Sequence, residues 1–375
     1  MKSKEISSFL QTRIKAKDFP SAVYLVAEKG EIIFQDALGF AVVEPEKIEA
    51  ELDTIYDLAS LTKPLVTGLL CAKLIEQGGL KLTDKLKSQL RQFLSSNKSE
   101  ITIENLLTHT SSFPAWCPFY LNFHDDKWKN EFVLAQIVES TPETSPNSKV
   151  IYSDFNFIVL GFLLERCYGN RLDEIAENVI FKLLELQNTF FNPPKDLQKR
   201  IAASEKGNGY EKRMCADAGF DVSKYNWREN QIWGEVHDGN CYFMNGVSGH
   251  AGLFSNAFEV FKIAQQFLAE ETTFLKSETC ELFRTNFTKG LNEARSISFQ
   301  LAETKDSIAS AALSKDSFGH LGFTGTSLWI EPETRRVFIL LTNRTHARDL
   351  PFANINSTRR CFHEIAAQIL DRGRK

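Results

Sequence analysis

A serine and a lysine three residues apart begin an apolar stretch near the start of the chain, DLASLTKPLVTGLLCAKLIEQGG (57–79). Residues three apart share one face of a helix, so Lys63 is predicted to lie one turn from Ser60. A serine at a helix N-terminus feels the positive end of the helix dipole, which favours negative charge on its oxygen. A buried lysine beside it can have a lowered pKa and accept the serine's proton. The pair predicts a serine nucleophile with an adjacent base.

Pro64 indicates where this helix begins. In a helix interior, a proline removes a backbone hydrogen bond and clashes with the carbonyl four residues before it, at a cost of about 3 kcal/mol. That cost disappears in the first turn, where amide donors have no helical partner. The helix is therefore predicted to begin at about Ser60 and to end at Gly78 and Gly79.

The S-x-x-K spacing is weak evidence by itself. For Ser60 alone, the simpler interpretation is an N-cap serine with a surface lysine nearby. The same spacing recurs at Ser95 and Lys98, in a polar stretch where nothing is expected to bury the lysine. We interpret that second copy as chance.

A second group of reactive side chains lies in IYSDFNFIVLG (151–161), on a predicted loop before an apolar helix. Near Lys63, Tyr152 could be held as a phenolate or relay a proton between serine and leaving group. Asp154 could orient Lys63 or accept a hydrogen bond from substrate. The alternative is structural: a tyrosine packed at a helix start, with Ser153 or Asp154 as the N-cap.

The third motif is G-H-x-G in SFGHLGFTGTSLWI (317–330), which is expected to lead into a strand. Small residues would let a substrate lie against the strand edge, with His320 and Gly322 beside it. The backbone amides of Ser60 and Phe323 could then form an oxyanion hole. A rival G-H-x-G in GHAGLFSNAFEVF (249–261) leads into a helix, so His250 is interpreted as a loop or supporting residue.

The elements that must position these groups follow a simple order. A helix is predicted at 4–17, two strands within 22–42, helices over most of 57–271, strands within 296–303 and 324–344, and a final helix at 356–372. This order predicts a sheet lobe built from both chain ends (1–57 and 285–375) and a mainly helical lobe (58–284). A cleft between two such lobes is a common place for a site.

The composition makes some classes of binding partner unexpected. The 375 residues are 43% hydrophobic with a net charge of −4, and lysine and arginine form no block, so nucleic acid and anionic membranes are unexpected partners. No stretch approaches the roughly 18 apolar residues of a membrane span. Seven scattered cysteines and the lack of an apolar signal-like N-terminus favour free thiols in a reducing, cytoplasmic setting.

Taken together, Ser60-x-x-Lys63, Tyr152-x-Asp154 and His320-x-Gly322 resemble the three motifs of the serine β-lactamase and penicillin-binding-protein superfamily, in its class C-like branch. The resemblance implies an α/β plus all-α fold, with an antiparallel sheet flanked by helices and an inserted helical lobe. It also implies an acyl-enzyme mechanism on ester, D-amino-acid peptide or β-lactam-like substrates, without a cofactor or metal. In that mechanism Ser60 is acylated, and Lys63 and Tyr152 handle protons.

Two departures from the family pattern bear on the substrate. His320-Leu321 stands where the family's lactamases carry Lys-Thr, which removes two groups that would hold a β-lactam carboxylate. Asp154 replaces the more usual Asn and adds a charge near Lys63. Both changes put lactamase activity in doubt more than hydrolase activity, so esterase-type activity is favoured. The alternative is a binding or regulatory protein with weak or lost chemistry.

Further residues are weaker candidates. Gly322 and Thr324 in the third motif are expected to contact substrate. Arg344 and Arg348 follow the last strand and either bind an acidic substrate group or lie in a solvated loop. One further set of side chains could be imagined as metal ligands, but its members lack a known ligand spacing, so no metal is expected: Glu235, His237, Asp238 and His250.

Overall fold

The structure, a computed structural model, describes residues 1–123 and 127–373. The strands are β1 (Ser21–Glu28), β2 (Glu31–Val42), β3 (Ile48–Glu49), β4 (Tyr56–Asp57), β5 (Phe190–Phe191), β6 (Leu253–Ser255), β7 (Gln300–Leu301), β8 (Phe318–Leu321), β9 (Ser327–Glu331) and β10 (Arg336–Thr342). The α-helices are α1 (Lys4–Lys15), α2 (Leu69–Glu76), α3 (Leu86–Gln89), α4 (Ile103–Leu107), α5 (Lys129–Glu139), α6 (Asp154–Tyr168), α7 (Leu172–Ala176), α8 (Gly209–Asp217), α9 (Gly239–Phe243), α10 (Ala257–Ala264), α11 (Ser277–Cys280) and α12 (Asn356–Arg372).

The main sheet joins the two ends of the chain. Its strand order is β3-β2-β1-β10-β9-β8-β7, and every neighbouring pair is antiparallel. In its centre Val23 of β1 pairs with Leu341 of β10. A smaller sheet, β4-β6-β5, lies elsewhere in the chain. The prediction of a mixed fold with an antiparallel sheet flanked by helices is confirmed.

The central strands are apolar on both faces because both faces are covered. Val23 and Leu25 of β1 belong to the large core shared with the helical segments, whereas Tyr24 and Val26 belong to a second core that contains residues of α1 and α12. This alternation follows from the period of two in a strand. Helix α10 packs directly on β1 and β10. The division into two lobes stays a prediction, since one continuous core joins the sheet to the helices.

The helix that follows Ser60 starts as the proline predicts. A 3₁₀ turn at Ala59–Leu61 leads into a π-helical turn at Lys63–Gly68 and then into α2, which ends just before Gly78 (φ +74°). Ala59 has a φ of +48°, so the backbone immediately before the serine is in the left-handed region that non-glycine residues rarely adopt. Strain of this kind is often found at functional sites.

Three expectations about local structure need correction. The 296–303 segment contributes only the two residues of β7. His320 lies within β8, so the G-H-x-G motif is itself part of a strand, and β9 follows it after a turn. Lys98 is buried. Its ammonium donates at 2.8 Å to the carbonyl oxygen of Val138, a residue forty positions further along the chain.

Two global features can be stated briefly. All seven cysteines are free thiols. Among the helices of residues 1–123 and 127–373, none is long and apolar enough to cross a membrane.

Candidate active site

Lys63 joins the first two motifs. Its side chain is fully buried, and its ammonium nitrogen Nζ lies 2.9 Å from Ser60 Oγ and 2.8 Å from Oδ1 of Asp154. Nζ also donates to the carbonyl oxygen of His250 at 3.2 Å. Ser60 itself is only partly buried and opens onto the cleft. The spacing therefore brings Ser60 and Lys63 together as predicted.

The expected ionisation state of Lys63 is wrong. Burial lowers the pKa of the Lys63 ammonium. The Asp154 carboxylate and the Tyr152 phenol together raise it by more than burial lowers it, so the pKa lies above the ordinary lysine value. A lysine paired with a carboxylate in this way keeps its proton at neutral pH. Lys63 is thus a buried cation beside the serine, not a neutral base.

Tyr152 lies among positively charged and aromatic groups. Lys63 Nζ is 5.0 Å from the centre of its ring, and the guanidinium carbon of Arg295 is 5.4 Å from it. The rings of His109 and His320 lie 4.6 Å and 5.7 Å away, centre to centre. Two cations therefore lie against the Tyr152 ring.

His109 fixes the loop that carries Tyr152. Its Nδ1 accepts a hydrogen bond from the Ser153 amide at 3.1 Å, and it lies 3.0 Å from Nδ2 of Asn156. Ser153 Oγ also donates to the Pro114 carbonyl oxygen at 2.5 Å. Burial, with the charges of Arg295 and Lys63, holds the pKa of His109 well below the ordinary histidine value, so this ring is neutral. It acts as a fixed support rather than as a charge.

The third motif lies opposite the serine at the end of β8. His320 is almost fully buried, and its Nδ1 lies 3.0 Å from the Leu321 carbonyl oxygen, so a neutral ring donates there and leaves a lone pair on Nε2. Burial and the charge of Lys63 hold the pKa of His320 well below the ordinary value. The third motif therefore supplies a neutral acceptor where a lysine would supply a cation.

Gly322 is required by close packing against the segment that leads to Ser60. A Cβ at this position would lie 2.0 Å from Thr326 Oγ1 and 2.5 Å from the carbonyl oxygen of Leu58. The next residue, Phe323, lines the cleft with Ser60, and its amide donates to no acceptor among the described residues. That amide is available to a substrate oxygen.

Two cavities adjoin Ser60. The sheet-side cavity, about 500 Å³, is lined by Ser60, Tyr152, His320 and Phe323 with Arg295, Arg344 and Arg359. The acidic cavity, about 240 Å³, is lined by Ser60, Trp116, Asp154, Tyr210, Glu211 and Asp238. The serine therefore lies between a space lined by arginines and a space lined by carboxyl groups.

The second G-H-x-G motif, at residues 249–252, positions a backbone acceptor for the Lys63 ammonium. Gly249 lies against α6, where a Cβ would be 2.1 Å from the Phe157 carbonyl oxygen, and its own carbonyl oxygen accepts from Thr67 Oγ1 at 2.7 Å. This close approach presents the carbonyl oxygen of the next residue, His250, to Lys63. The ring of His250 lies 3.0 Å from Oδ1 of Asp238.

The other predicted residues take different positions. Thr324 is buried and donates to the Asp57 carbonyl oxygen at 2.7 Å, which holds the turn to the nucleophile segment. Arg344 lines the sheet-side cavity, but its Nε and Nη1 donate to the carbonyl oxygens of Phe323 and Ala353 at 2.6 and 2.9 Å. Arg348 does not line either cavity beside Ser60 and donates to the Ala347 carbonyl oxygen. Substrate contact by Thr324 or Arg348 is therefore not supported by their positions.

The residues considered as metal ligands do not form one cluster. Glu235 lies beside Arg228, away from the cavities, and His237 contacts Glu205 through Nε2 at 2.8 Å. A different set does converge: ligand atoms of Asp154, Asp238 and His250 lie within 4.8 Å of one another. Lys63 already pairs with Asp154 in this cluster, so the Lys63 ammonium neutralises the cluster's negative charge.

Glu211 and Asp238 share the acidic cavity but differ in charge. Burial raises the pKa of Glu211 to about 8, and the nearby Asp238 carboxylate adds to this effect. Burial also opposes ionisation of Asp238, but His250 and the Cys241 amide outweigh it, so its pKa lies below the ordinary value. At neutral pH, Glu211 carries the proton and Asp238 the charge.

Sequence reasoning missed His109, Arg295, Arg359 and Glu211. Only His109 had a local signal, since it ends the ITIENLLTH stretch directly before a run of small and polar residues. The others come from segments far from the motifs and reach the site through tertiary packing.

The chain combines a buried S-x-x-K pair, a tyrosine beside that pair and the end of β8 opposite it, on an antiparallel sheet flanked by helices. This combination defines a serine hydrolase of the β-lactamase and penicillin-binding-protein type. The family model described as Beta-lactamase matches residues 6–358, and the chain belongs to that family.

Individual relatives agree with this assignment. The chain is 30% identical over 359 residues to a putative D-alanyl-D-alanine carboxypeptidase of Escherichia coli K12, covering 88% of this chain and 79% of that protein. It is 29% identical over 373 residues to an N-acetylmuramyl-L-alanine amidase of Bacillus subtilis, covering 92% and 81%. The fold superposes on a β-lactamase/D-alanine carboxypeptidase from Pseudomonas syringae with a TM-score of 0.74 at 14% identity, covering 96% and 97%.

Proposed function

We propose that the protein hydrolyses ester and amide bonds through an acyl-enzyme on Ser60, and that it favours esters over β-lactams. The observation that carries the proposal is the buried Lys63 ammonium, which contacts Ser60 Oγ and Asp154 together. A nucleophile hydrogen-bonded to a group that is itself oriented by a third is the arrangement that covalent catalysis requires. The same contacts argue against a binding protein without chemistry.

The proposed proton path runs through Tyr152. Because Lys63 stays protonated, it cannot take the serine's proton and instead stabilises a Tyr152 oxyanion. As Ser60 Oγ bonds to the carbonyl carbon, its proton passes to the Tyr152 oxygen. Tyr152 then gives that proton to the leaving oxygen or nitrogen as the bond to it breaks. Water follows the same route in reverse to release the acid.

The amides of Ser60 and Phe323 are proposed to hold the carbonyl oxygen during both steps. Donors of this kind stabilise the negative charge that develops on that oxygen, and removing one costs roughly 10²–10³-fold in rate. The unpartnered Phe323 amide and its position beside the serine support this role.

The preference for esters rests on His320. A β-lactam carboxylate at this place would meet a neutral imidazole acceptor where the lactamases have a lysine. The relatives' names, carboxypeptidase and amidase, support amide bonds as a second substrate type. Steady-state kcat/KM values for p-nitrophenyl butyrate and nitrocefin test the preference, and nitrocefin turnover equal to that of the ester would overturn it.

The chemistry is tested with Ser60→Ala and a matched control. The second S-x-x-K motif supplies the control, because Ser95 is exposed and Lys98 turns to Val138. Ser60→Ala should abolish p-nitrophenyl butyrate turnover and fluorophosphonate labelling, while Ser95→Ala should keep both. Turnover that survives in Ser60→Ala would refute the proposal.

A further inference from the structure

The side chain of Asp57 holds the backbone turn immediately before Ser60. Its Oδ1 accepts a hydrogen bond from the Ala59 amide at 2.9 Å, and the Ala59 carbonyl oxygen accepts one from Thr62 Oγ1 at 2.7 Å. Both backbone polar groups of Ala59 are therefore tied by side chains, in the residue whose φ is +48°. Because a strained backbone persists only where its surroundings over-determine it, these bonds keep the peptide that contains the Ser60 amide in one orientation.

The backbone of Asp57 also reaches the segment that carries Phe323. The carbonyl oxygen of Asp57 accepts from Thr324 Oγ1 at 2.7 Å, and Thr324 is buried. Since Thr324 directly follows Phe323, this bond fixes the Phe323 amide relative to the end of β4. A second bond of the same kind, from Thr326 Oγ1 to the Leu58 carbonyl oxygen at 3.0 Å, holds the same two segments together.

A third contact connects Asp57 to the ring of Phe323 through His237. Oδ2 of Asp57 accepts from the His237 amide at 2.8 Å. The His237 ring stacks on the Phe323 ring, with 5.4 Å between ring centres and 25° between the planes. Nε2 of the same imidazole lies 2.8 Å from Oε2 of Glu205, which fixes the orientation of the imidazole. Phe323 is therefore held on its backbone side by Thr324 and on its ring side by His237.

Asp57 itself is set back from the reacting groups. It is 6% exposed and lines neither of the two cavities beside Ser60. Each of its carboxylate oxygens already accepts from a backbone amide. A carboxylate offers an acceptor to both amides, whereas an asparagine side chain has a single carbonyl oxygen. Asp57 therefore acts through the residues that it holds.

We propose that Asp57 is the positioning residue of the oxyanion hole, because it sets the amides of Ser60 and Phe323 relative to each other. This inference rests on the proposed function, in which those two amides stabilise the substrate's carbonyl oxygen. As Ser60 Oγ bonds to the carbonyl carbon, the π electron pair of the carbonyl moves onto its oxygen. Both donors must already point at that oxygen, since preorganised donors need no reorganisation when the charge develops. Asp57 exchanges no proton and touches no reacting atom.

Asp57→Asn tests the proposal, because it keeps the size of the side chain and leaves one of the two amides without an acceptor. A misplacement of about 1 Å at a reacting group can cost about 10²-fold in rate, so kcat for p-nitrophenyl butyrate should fall by about 10²-fold. The value of kcat/KM should fall by the same factor, since the lost interaction is made only in the transition state. Thr324→Val removes one hydrogen bond to Asp57 and should lower both values by about 10-fold.

A reversible transition-state analogue separates positioning from a general loss of stability. Propyl trifluoromethyl ketone carries the butyryl group of the substrate and has no leaving group. Ser60 Oγ adds to its carbonyl carbon, the Ser60 proton passes to Tyr152, and the ketone oxygen becomes an oxyanion in the same hole. The inhibition constant Ki should therefore rise in Asp57→Asn by the factor by which kcat/KM falls.

Glu259→Gln is the matched control. Glu259 is another buried carboxylate that accepts from two backbone amides, those of Gln187 and Asn188 at 2.8 and 2.9 Å. It lines neither cavity beside Ser60. Glu259→Gln should lower the Tm and leave kcat/KM and Ki unchanged.

The outcomes decide the proposal in each case. An unchanged kcat/KM in Asp57→Asn would overturn it, as would a fall in kcat/KM with an unchanged Ki. An equal loss of kcat/KM in Glu259→Gln would attribute the effect to stability and would also overturn the proposal. If Asp57→Asn does not fold, Thr324→Val decides by the same comparison of kcat/KM with Ki. Turnover by Ser60→Ala would instead refute the proposed function, and that result comes from a separate variant.

Discussion

The ammonium nitrogen of Lys63 lies 2.8 Å from Oδ1 of Asp154, in a place where the lysine is fully buried and the aspartate side chain 16% exposed. Without the carboxylate, burial would drive the lysine towards its neutral form. With the carboxylate present, the lysine keeps its positive charge, and this charge lies beside Ser60 and Tyr152. We therefore expect the aspartate to decide which residue can act as the base.

Asp154→Asn should move the alkaline limb of the pH profile of kcat/KM to lower pH. The amide cannot neutralise Lys63, whose pKa then falls under the effect of burial. The profile is measured with p-nitrophenyl butyrate from pH 6 to 10, with Asp173→Asn, a surface residue paired with Arg171, as control. An alkaline limb that stays in place would mean that Asp154 does not set the charge of Lys63.

Tyr152→Phe should lower kcat by about 10²–10⁴-fold, the usual range for a group that moves protons, and Lys63→Ala, which removes the cation beside Tyr152, should lower it to a similar extent. Since the two residues form one unit, the double variant should be little worse than either single one. Lys85→Ala, which removes an exposed lysine, provides the control. Losses that multiply in the double variant would indicate independent roles.

Glu211 should make the folded protein less stable as pH rises. The folded state holds this proton up to about pH 8, whereas the unfolded chain releases it near the ordinary value of 4.5. Between these limits the folded state binds more protons, so its stability falls with increasing pH. The Tm of Glu211→Gln should equal the wild-type Tm below pH 4.5 and exceed it progressively up to about pH 8. Glu229→Gln, at an exposed position, should show no such trend, and a constant Tm difference for Glu211→Gln would contradict the expectation.

Gly249→Ala should destabilise the protein by about 1–3 kcal/mol, the usual cost of overpacking. The added Cβ would lie 2.1 Å from the Phe157 carbonyl oxygen, so the loop must move away from α6. This movement would break the hydrogen bond between Lys63 and the His250 carbonyl oxygen. Gly79→Ala is the matched control, because its Cβ would meet nothing closer than 3.5 Å. Denaturant unfolding and kcat/KM together check both consequences; equal stability of the two variants would rule out the close packing.

The sequence was sufficient for the groups whose placement depends on local geometry. Ser60 and Lys63 share a helix face, and Pro64 allows only one start for that helix. The ionisation of Lys63 could not be predicted, because it depends on a carboxylate that reaches the same point from another segment. The burial of Lys98 was mispredicted for a similar reason, since its acceptor is the backbone of Val138.

Arg295 marks the limit of what local patterns can provide. It lies in an irregular segment before β7, and its pairing with Glu293 would be read from the sequence as an ordinary surface contact. Only the packing of that segment against Tyr152 buries the guanidinium and leaves Nε and Nη1 without a hydrogen-bond partner among the described residues.

The most direct test of Ser60 as the nucleophile is mass spectrometry of the protein quenched with acid during turnover of p-nitrophenyl butyrate. A covalent acyl-enzyme should add the mass of one butyryl group, and peptide mapping should place it on Ser60, with no adduct in Ser60→Ala. A butyryl group on another residue, or an adduct that persists in Ser60→Ala, would contradict the assignment.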